Sequence, residues 1–371
     1  MLYFDHSATT PLHPDVFEKM QTVAQDHFGN PSSIHSAGRK SRAIIESARQ
    51  TIAASINAEP SEIVFAGSGT EANNAVLWSL AHTEKKHVVT SAVEHPAVLK
   101  VLNKLEPFGV TFTALPVDDH GLVNPIELEK AIQPNTGLIS IMMVNNEVGT
   151  INPMAALVDV AQTNGIPFHS DTVQALGKTP LSVREIPADY FSFSAHKLYG
   201  PKGVGFLYKR KGSFLNPLII GGGQERNLRA GTENVPGIAG IGEAVRLATQ
   251  HLDKRRTHLT ELESTFKSEL AAANVDPIYN GHPDACVPGV ISASFPGQRS
   301  DILLAKLDRE NIAVSSGSAC GSGSVQPSPV LEAMGISEKQ NMSTLRISFG
   351  RGNTIQDVNT LVSTISNIIN G

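Results

Sequence analysis

Seven short apolar runs, spaced by segments of helix length, constrain the fold of this chain more than any other feature. The candidate strands cover residues 62–66, 87–91, 110–115, 138–144, 167–170, 190–193 and 204–208. Between them, 71–81, 97–106, 125–132 and 153–164 carry apolar residues at helical spacing. Strands alternating with helices read as βαβ units, which build a mostly parallel sheet with helices on both faces. Ahead of the first strand, 36–56 reads as one long amphipathic helix. After Pro236 the pattern changes. Residues 238–273 are helix-dominated with a break near His251, followed by a strand at 287–295, a helix at 300–310, a strand at 344–349 and a terminal helix at 354–369. The expected fold class is therefore α/β, with a mostly parallel seven-stranded sheet in a large domain and a smaller α+β domain beside it. A chain of 371 residues suits two such domains. The boundaries expected are 15–248 for the large one, and 1–14 with 249–371 for the small one.

The bulk chemistry narrows the function classes. A formal net charge of −5, with no basic run longer than Lys209–Arg210–Lys211, argues against nucleic acid as a direct partner. Two cysteines, Cys286 and Cys320, cannot form a disulfide framework and suit a reducing compartment. The opening residues, Met1 to His6, lack a charged region followed by an apolar one, so no signal peptide is expected. No window approaches the ~18 uncharged apolar residues of a membrane span. The expected location is the cytoplasm.

The chemistry-bearing residues follow the strands. Tyr190–Phe193 runs into Ser194–Ala195–His196–Lys197 and a Gly/Pro-rich turn. A lysine at a strand end, flanked by hydroxyl and imidazole groups, can form a Schiff base with a phosphorylated carbonyl cofactor. Gly67–Ser68–Gly69–Thr70 lies between a strand and a helix, so its backbone N–H groups can cradle a phosphate. Asp171 ends another strand, where a carboxylate can keep a pyridine nitrogen protonated. His95 and Asn146 follow two more strands and can move protons or meet the cofactor's phenolic oxygen or a substrate carboxylate. Each alone is equally a cap or a turn residue. Together they fall outside the carboxyl ends of strands in an open α/β sheet, where ligands collect.

These residues also carry a family resemblance. Tyr3–Phe4–Asp5–His6–Ser7–Ala8–Thr9–Thr10–Pro11, Phe28–Gly29–Asn30–Pro31–Ser32–Ser33, Val144–Asn145–Asn146–Glu147, Asp171–Thr172–Val173–Gln174, Ser194–Ala195–His196–Lys197, Arg229–Ala230–Gly231–Thr232, Ser315–Ser316–Gly317–Ser318–Ala319–Cys320 and Arg346–Ile347–Ser348–Phe349–Gly350–Arg351 run nearly end to end. In these motifs the chain resembles the cysteine desulfurases of the class V aminotransferase family, of the iron–sulfur-assembly and nitrogenase type. The resemblance implies the pyridoxal 5′-phosphate-dependent transferase fold of type I. It implies that Lys197 holds the cofactor, Asp171 pairs with its pyridine nitrogen, and Gln174 bonds its phenolic oxygen. His95 would stack on the ring. Gly69, Thr70, Ser194 and His196 would hold the phosphate, with Thr232 reaching across from the second subunit of a homodimer. Asn146 would contact cofactor or substrate. Arg346 would clamp the substrate carboxylate, a role its bidentate fork suits on its own chemistry. No metal is implied.

Cys320 separates this reading from an ordinary aminotransferase. Every residue from Ser315 to Ser324 is Ser, Gly, Ala or Cys, too little apolar surface for a core, so the loop is expected to be mobile and the thiol reactive. Cys286, beside the apolar 287–295 run, suits a plain packing role. The expected reaction converts L-cysteine to L-alanine, with sulfur passing to Cys320 as a persulfide and then to an acceptor protein. The acceptor would be an iron–sulfur scaffold or a tRNA-thiolating enzyme. Gly321–Ser322–Gly323 after the cysteine, and a chain ending soon after its last helix, depart from the assembly-type pattern and weaken the scaffold alternative. A selenocysteine lyase, another class V aminotransferase, or a non-catalytic relative that keeps the fold remain the rival readings.

Overall fold

The structure, a computed structural model, describes residues 1–317 and 326–371. Its centre is a seven-stranded sheet. In spatial order the strands are Ile63–Ala66, Gly205–Lys209, Tyr190–Ser194, Phe168–Asp171, Thr136–Ser140, His87–Ser91 and Thr111–Leu115. Gly205–Lys209 runs antiparallel to both neighbours, and the remaining pairings are parallel. Six strands therefore finish at the same edge. That edge receives the residues singled out above.

Both faces of the central strands are covered, which is why these strands place apolar residues on both sides. Ile63, Phe65, Val89, Ile139, Phe191 and Phe206 enter one core, while Val64, Val88, Leu138, Tyr190 and Leu207 enter the core on the opposite face. This is the two-residue period of a strand, with both faces buried. A separate core joins Phe4, Leu259, Phe266, Ile291, Leu345, Ile347 and Leu361. It lies against a three-stranded antiparallel sheet of Ile278–Asn280, Val290–Ser294 and Thr344–Ser348. Leu2–Tyr3 pairs in parallel with Ile312–Ala313, so the first residues are tied to this second core.

All seven expected strands are present, with one shortened. The 138–144 run leaves the sheet ladder after Ser140. Ile141 and Met143 still donate to His169 and Asp171 carbonyls, each at 3.1 Å. The chain then turns because the Asn145 side-chain oxygen accepts from the N–H groups of Glu147 (2.8 Å) and Val148 (3.1 Å). The long helical stretch breaks at His251, between Val235–Gln250 and Leu252–Ala272. Pro14–Asp26, a helix with only Val16 and Val23 buried, had too sparse an apolar pattern to be read from sequence. Among the described residues, no helix is long and apolar enough to cross a membrane.

A buried ion pair fastens the edge of the sheet. Arg49, on helix Ser36–Ser55, bonds Glu225 through both guanidinium nitrogens at 2.6 and 2.8 Å. Glu225 also accepts from Phe65 N at 2.8 Å, and Arg49 donates to Ile63 O at 2.8 Å. The segment containing Glu225 thus stays beside the strand that precedes Gly67. Glu225→Ala would leave the Arg49 charge with only the half-exposed Glu46 as a charged partner, at a cost of about 3 kcal/mol. Urea unfolding of the two proteins checks this, and an unchanged midpoint would contradict it.

Candidate active site

The turn after Ile63–Ala66 is shaped for a ligand with negative charge. Ser68 caps helix Gly69–Ser79, its hydroxyl accepting from Glu71 N at 3.1 Å. The amides of the first turn, at Gly69 and Thr70, remain directed off the helix end. Gly69 has no room for a side chain, since a Cβ there would sit 2.5 Å from Val173 Cγ2 and 3.4 Å from Ser194 Cβ. Three chain segments therefore meet at this helix end. Thr70 is exposed on the outer side of the turn, and Ser194 is buried at the end of its strand.

Asp171 is buried and faces neutral donors. Asn73 Nδ2 donates to Oδ2 at 2.7 Å, and Val173 N to Oδ1 at 3.0 Å. Asn73 comes from the helix that begins at Gly69, so the same helix presents the phosphate turn and braces the carboxylate. His95 is the cap of helix Pro96–Leu105, its Nδ1 accepting from Ala97 N at 3.1 Å. That bond leaves the ring proton on Nε2. Burial lowers the pKa of His95, Asp171 opposes the shift and Lys197 adds to it, so the imidazole is neutral. The cap role and the place at the sheet edge are both realised in one side chain.

Lys197 lies on the short helical turn Ala195–Lys197. Its Nζ donates to the carbonyls of Ser7 at 2.5 Å and Ala8 at 2.6 Å. Ser7 O also accepts from Gln174 Nε2 at 2.9 Å. His196 Nδ1 lies 3.1 Å from Thr9 Oγ1, and its backbone oxygen accepts from Thr10 Oγ1 at 2.8 Å. Burial, then Lys197 and Lys202, push the His196 pKa down to about 4, so it too is neutral. The N-terminal segment 5–10 thus lines the site, laid across the strand ends.

Arg346 enters from the second core on strand Thr344–Ser348. Its Nη1 donates to Asn146 O at 3.2 Å and its Nη2 to Asp5 Oδ1 at 2.9 Å, while Nε is buried without a partner. Asn146 meets this arginine through its backbone oxygen. Thr232 is exposed. Its segment borders a cavity lined by Phe65, Gly67, Arg229 and Gly231. Cys320 lies outside the described residues. The described residues on either side of its segment converge on Glu147. Ser328 Oγ donates to Glu147 Oε2, and a Cβ at Gly317 would sit 2.1 Å from that oxygen. Burial raises the Glu147 pKa to about 7, against the lowering effects of Ser328 and Arg346.

Sequence reasoning missed several residues here. Glu94 is fully buried beside His95, accepts from Ser91 Oγ (2.6 Å) and Met142 N (2.8 Å), and keeps Oε2 unpartnered. Desolvation first, with Asp171 adding, raises its pKa to about 8. Asn73, Asp5, Ser7 and Lys178 also meet the assigned residues. Asp5 and Ser7 stand inside a quoted motif but carried no signal of their own. Unpartnered buried atoms (Ser7 Oγ, Asn73 Oδ1, Glu94 Oε2, Arg346 Nε) gather around this edge. Such a gathering is what a site built for a polar ligand leaves behind.

A Schiff-base-competent lysine, a strand-end carboxylate and a helix N-terminus on one parallel sheet define the pyridoxal-phosphate class of transferase folds. The aminotransferase class-V family model matches residues 2–361. A cysteine desulfurase IscS from Dictyoglomus turgidum is 45% identical, covering 99% of this chain and 94% of its own. A putative cysteine desulfurase IscS 1 from Bacillus subtilis is 42% identical, covering 99% and 98%. Among solved structures, a NifS-like protein superposes with a TM-score of 0.93 at 37% identity, over 100% of this chain and 99% of the other. The structure of SspA in complex with cysteine superposes at 0.83, also at 37% identity, over 94% and 99%. The chain belongs to the class V aminotransferase family, in its cysteine desulfurase branch. That family uses pyridoxal 5′-phosphate.

Proposed function

We propose that this protein is a cysteine desulfurase that takes L-cysteine to L-alanine and moves its sulfur onto Cys320. The observation that carries the reading is the meeting of Lys197, Asp171 and His95 at one sheet edge, with Arg346 and the flanks of the Cys320 segment beside them. The residues fit pyridoxal phosphate. Asp171 is a buried carboxylate bonded to neutral donors, the turn at Gly69 and Thr70 offers amides, and Lys197 reaches the space over the strand ends. When bound, the cofactor supplies an electron sink for charge developing at the substrate's α-carbon.

The chain's residues supply the rest. With the cofactor bound, Asp171 would pair with the pyridine nitrogen, Gln174 would donate to the phenolic oxygen, and His95 would lie against the ring. Gly69, Thr70, Ser194 and His196 would hold its phosphate, with Thr232 contributed by the second copy in a homodimer. Arg346 and Asn146 orient the substrate carboxylate, and the free Nε of Arg346 is a donor already desolvated for it. Lys197 Nζ takes the α-proton and returns a proton to carbon. His95 Nε2, which carries the ring proton, would donate toward the substrate sulfur and the departing carbon fragment, while the thiol proton stays on the outer sulfur of the persulfide. Cys320 thiolate attacks that sulfur. The new S–S bond forms as the Cβ–S bond breaks, its electron pair stays with the carbon fragment, and protonation there gives alanine. A thiol or an acceptor protein, of the iron–sulfur scaffold or tRNA-thiolating kind, then removes the outer sulfur.

The test is turnover of the cofactor-loaded protein with L-cysteine and a reducing thiol, measuring alanine and sulfide together. Equal amounts of the two are expected. Alanine formed from selenocysteine but not from cysteine would move the protein to the lyase reading, and transfer of an amino group to a keto acid to the aminotransferase one.

A further inference from the structure

Lys178 is the basic side chain the reading above leaves unused, and it sits within the site's own hydrogen-bond chain. Its ammonium donates to Gln174 Oε1, four residues earlier. Gln174 Nε2 donates to Ser7 O at 2.9 Å, and Lys197 Nζ donates to that same carbonyl at 2.5 Å. The Gln174 amide therefore lies between two lysine amines. The backbone under Lys178 is braced as well: Arg255 Nη1 donates to Gly177 O, and Arg256 Nη1 to Lys178 O, each at 3.0 Å.

The charges around Lys178 work against placing a cation there. Lys197, Arg346 and Arg255 all repel it, His6 faces it with a neutral ring, and among the described residues no carboxylate pairs with it. Burial with these neighbours drives its pKa down to about 7. Asp5 is engaged by Arg346. What Lys178 does contact is the oxygen end of an amide. As an ammonium Lys178 has three donors and no acceptor, and as the neutral amine that grows above pH 7 it still presents two N–H donors, whereas an amide can turn either its oxygen or its NH₂ toward a neighbour.

We propose that Lys178 is a positioning residue that locks the Gln174 amide by its oxygen, so that only N–H donors face the phenolic oxygen of the cofactor. The proposal rests on the pyridoxal reading above. The reversed amide would set a carbonyl lone pair against an oxygen that carries negative charge. Gln174 alone cannot prevent that reversal. Ser7 O on the other side favours the same orientation, so lysine and carbonyl hold the amide from its two ends.

The experiment is a pH titration of the visible absorption of the cofactor-loaded protein without substrate, in wild type, Gln174→Ala, Lys178→Met and the double variant. Losing donation to the phenolic oxygen weakens its anionic form. Each single variant is expected to raise the pH midpoint by about one unit, a tenfold change in the proton equilibrium. The double variant is expected to shift no further than the larger single, because both remove one interaction. An unmoved midpoint in Lys178→Met would overturn the proposal. So would additive shifts, which would mean that the lysine acts by its charge alone. Lys178→Leu, neutral and likewise without an N–H donor, reads the same point should the methionine variant fold poorly. A wild type that develops no visible band would instead sink the pyridoxal reading, a distinguishable result.

Discussion

Lys197→Ala is expected to slow alanine formation from L-cysteine by about 10²–10⁴-fold, the loss that follows removal of a positioned acid–base group. The structure leaves little to take its place. His95 and His196 are neutral, and His95 Nδ1 is committed to Ala97 N. Lys178 is occupied by Gln174. A small primary amine added to the variant should restore part of the rate, since it can enter the space the side chain vacates. Single-turnover measurement of alanine, with and without the amine, checks both parts. Turnover that survives the substitution unchanged would remove Lys197 from the chemistry and return it to the role of a clamp on Ser7 and Ala8.

Cys320→Ala is expected to lower alanine and sulfide together by at least about a hundredfold, while the visible colour of the bound cofactor stays. The two substitutions thus separate two halves of the reaction. In the proposed reaction Lys197 serves carbon and Cys320 serves sulfur. The argument for Cys320 is its sequence setting and the described flanks, since Gly317 and Ser328 both lie on Glu147 and Ser315 pairs with Arg346. Quantifying alanine, sulfide and protein-bound sulfur in one sample decides the matter. Alanine formation at the wild-type rate in the variant would mean that sulfur leaves without Cys320, and the persulfide step would fall.

The sheet was legible because most strands carry a compact apolar run buried in the sheet, and its polar successor marks the strand end. Lys197, Asp171, His95 and Thr70 could be singled out for that reason, since each directly follows such a run. The roles of Gln174, Ser194, His196, Thr232 and Arg346 came instead from the family resemblance. What neither route supplied is the set of partners joined by tertiary folding. Gln174 meets Ser7 across 167 positions, and Lys197 meets Ser7 across 190. Local pattern carries no trace of such distances. Glu94 was hidden for a different reason: a glutamate beside a helix start reads as a solvated charge, and only burial against Met142 and Ser91 makes it unusual.

The seam between Asp5 and Arg346 also has a meaning in time. The two residues are 341 positions apart. At a ribosomal pace of roughly 5–20 residues per second, about 20–70 s separate their synthesis. The large sheet can be complete while its N-terminal strap still lacks the strand that will hold it down. A nascent chain halted before residue 346 would carry the lysine, the carboxylate and the phosphate turn, with the strap held by Gln174, Lys197 and His196 but not yet by Arg346. The clamp on the N-terminal strap is therefore closed by one of the last strands to be made, Thr344–Ser348.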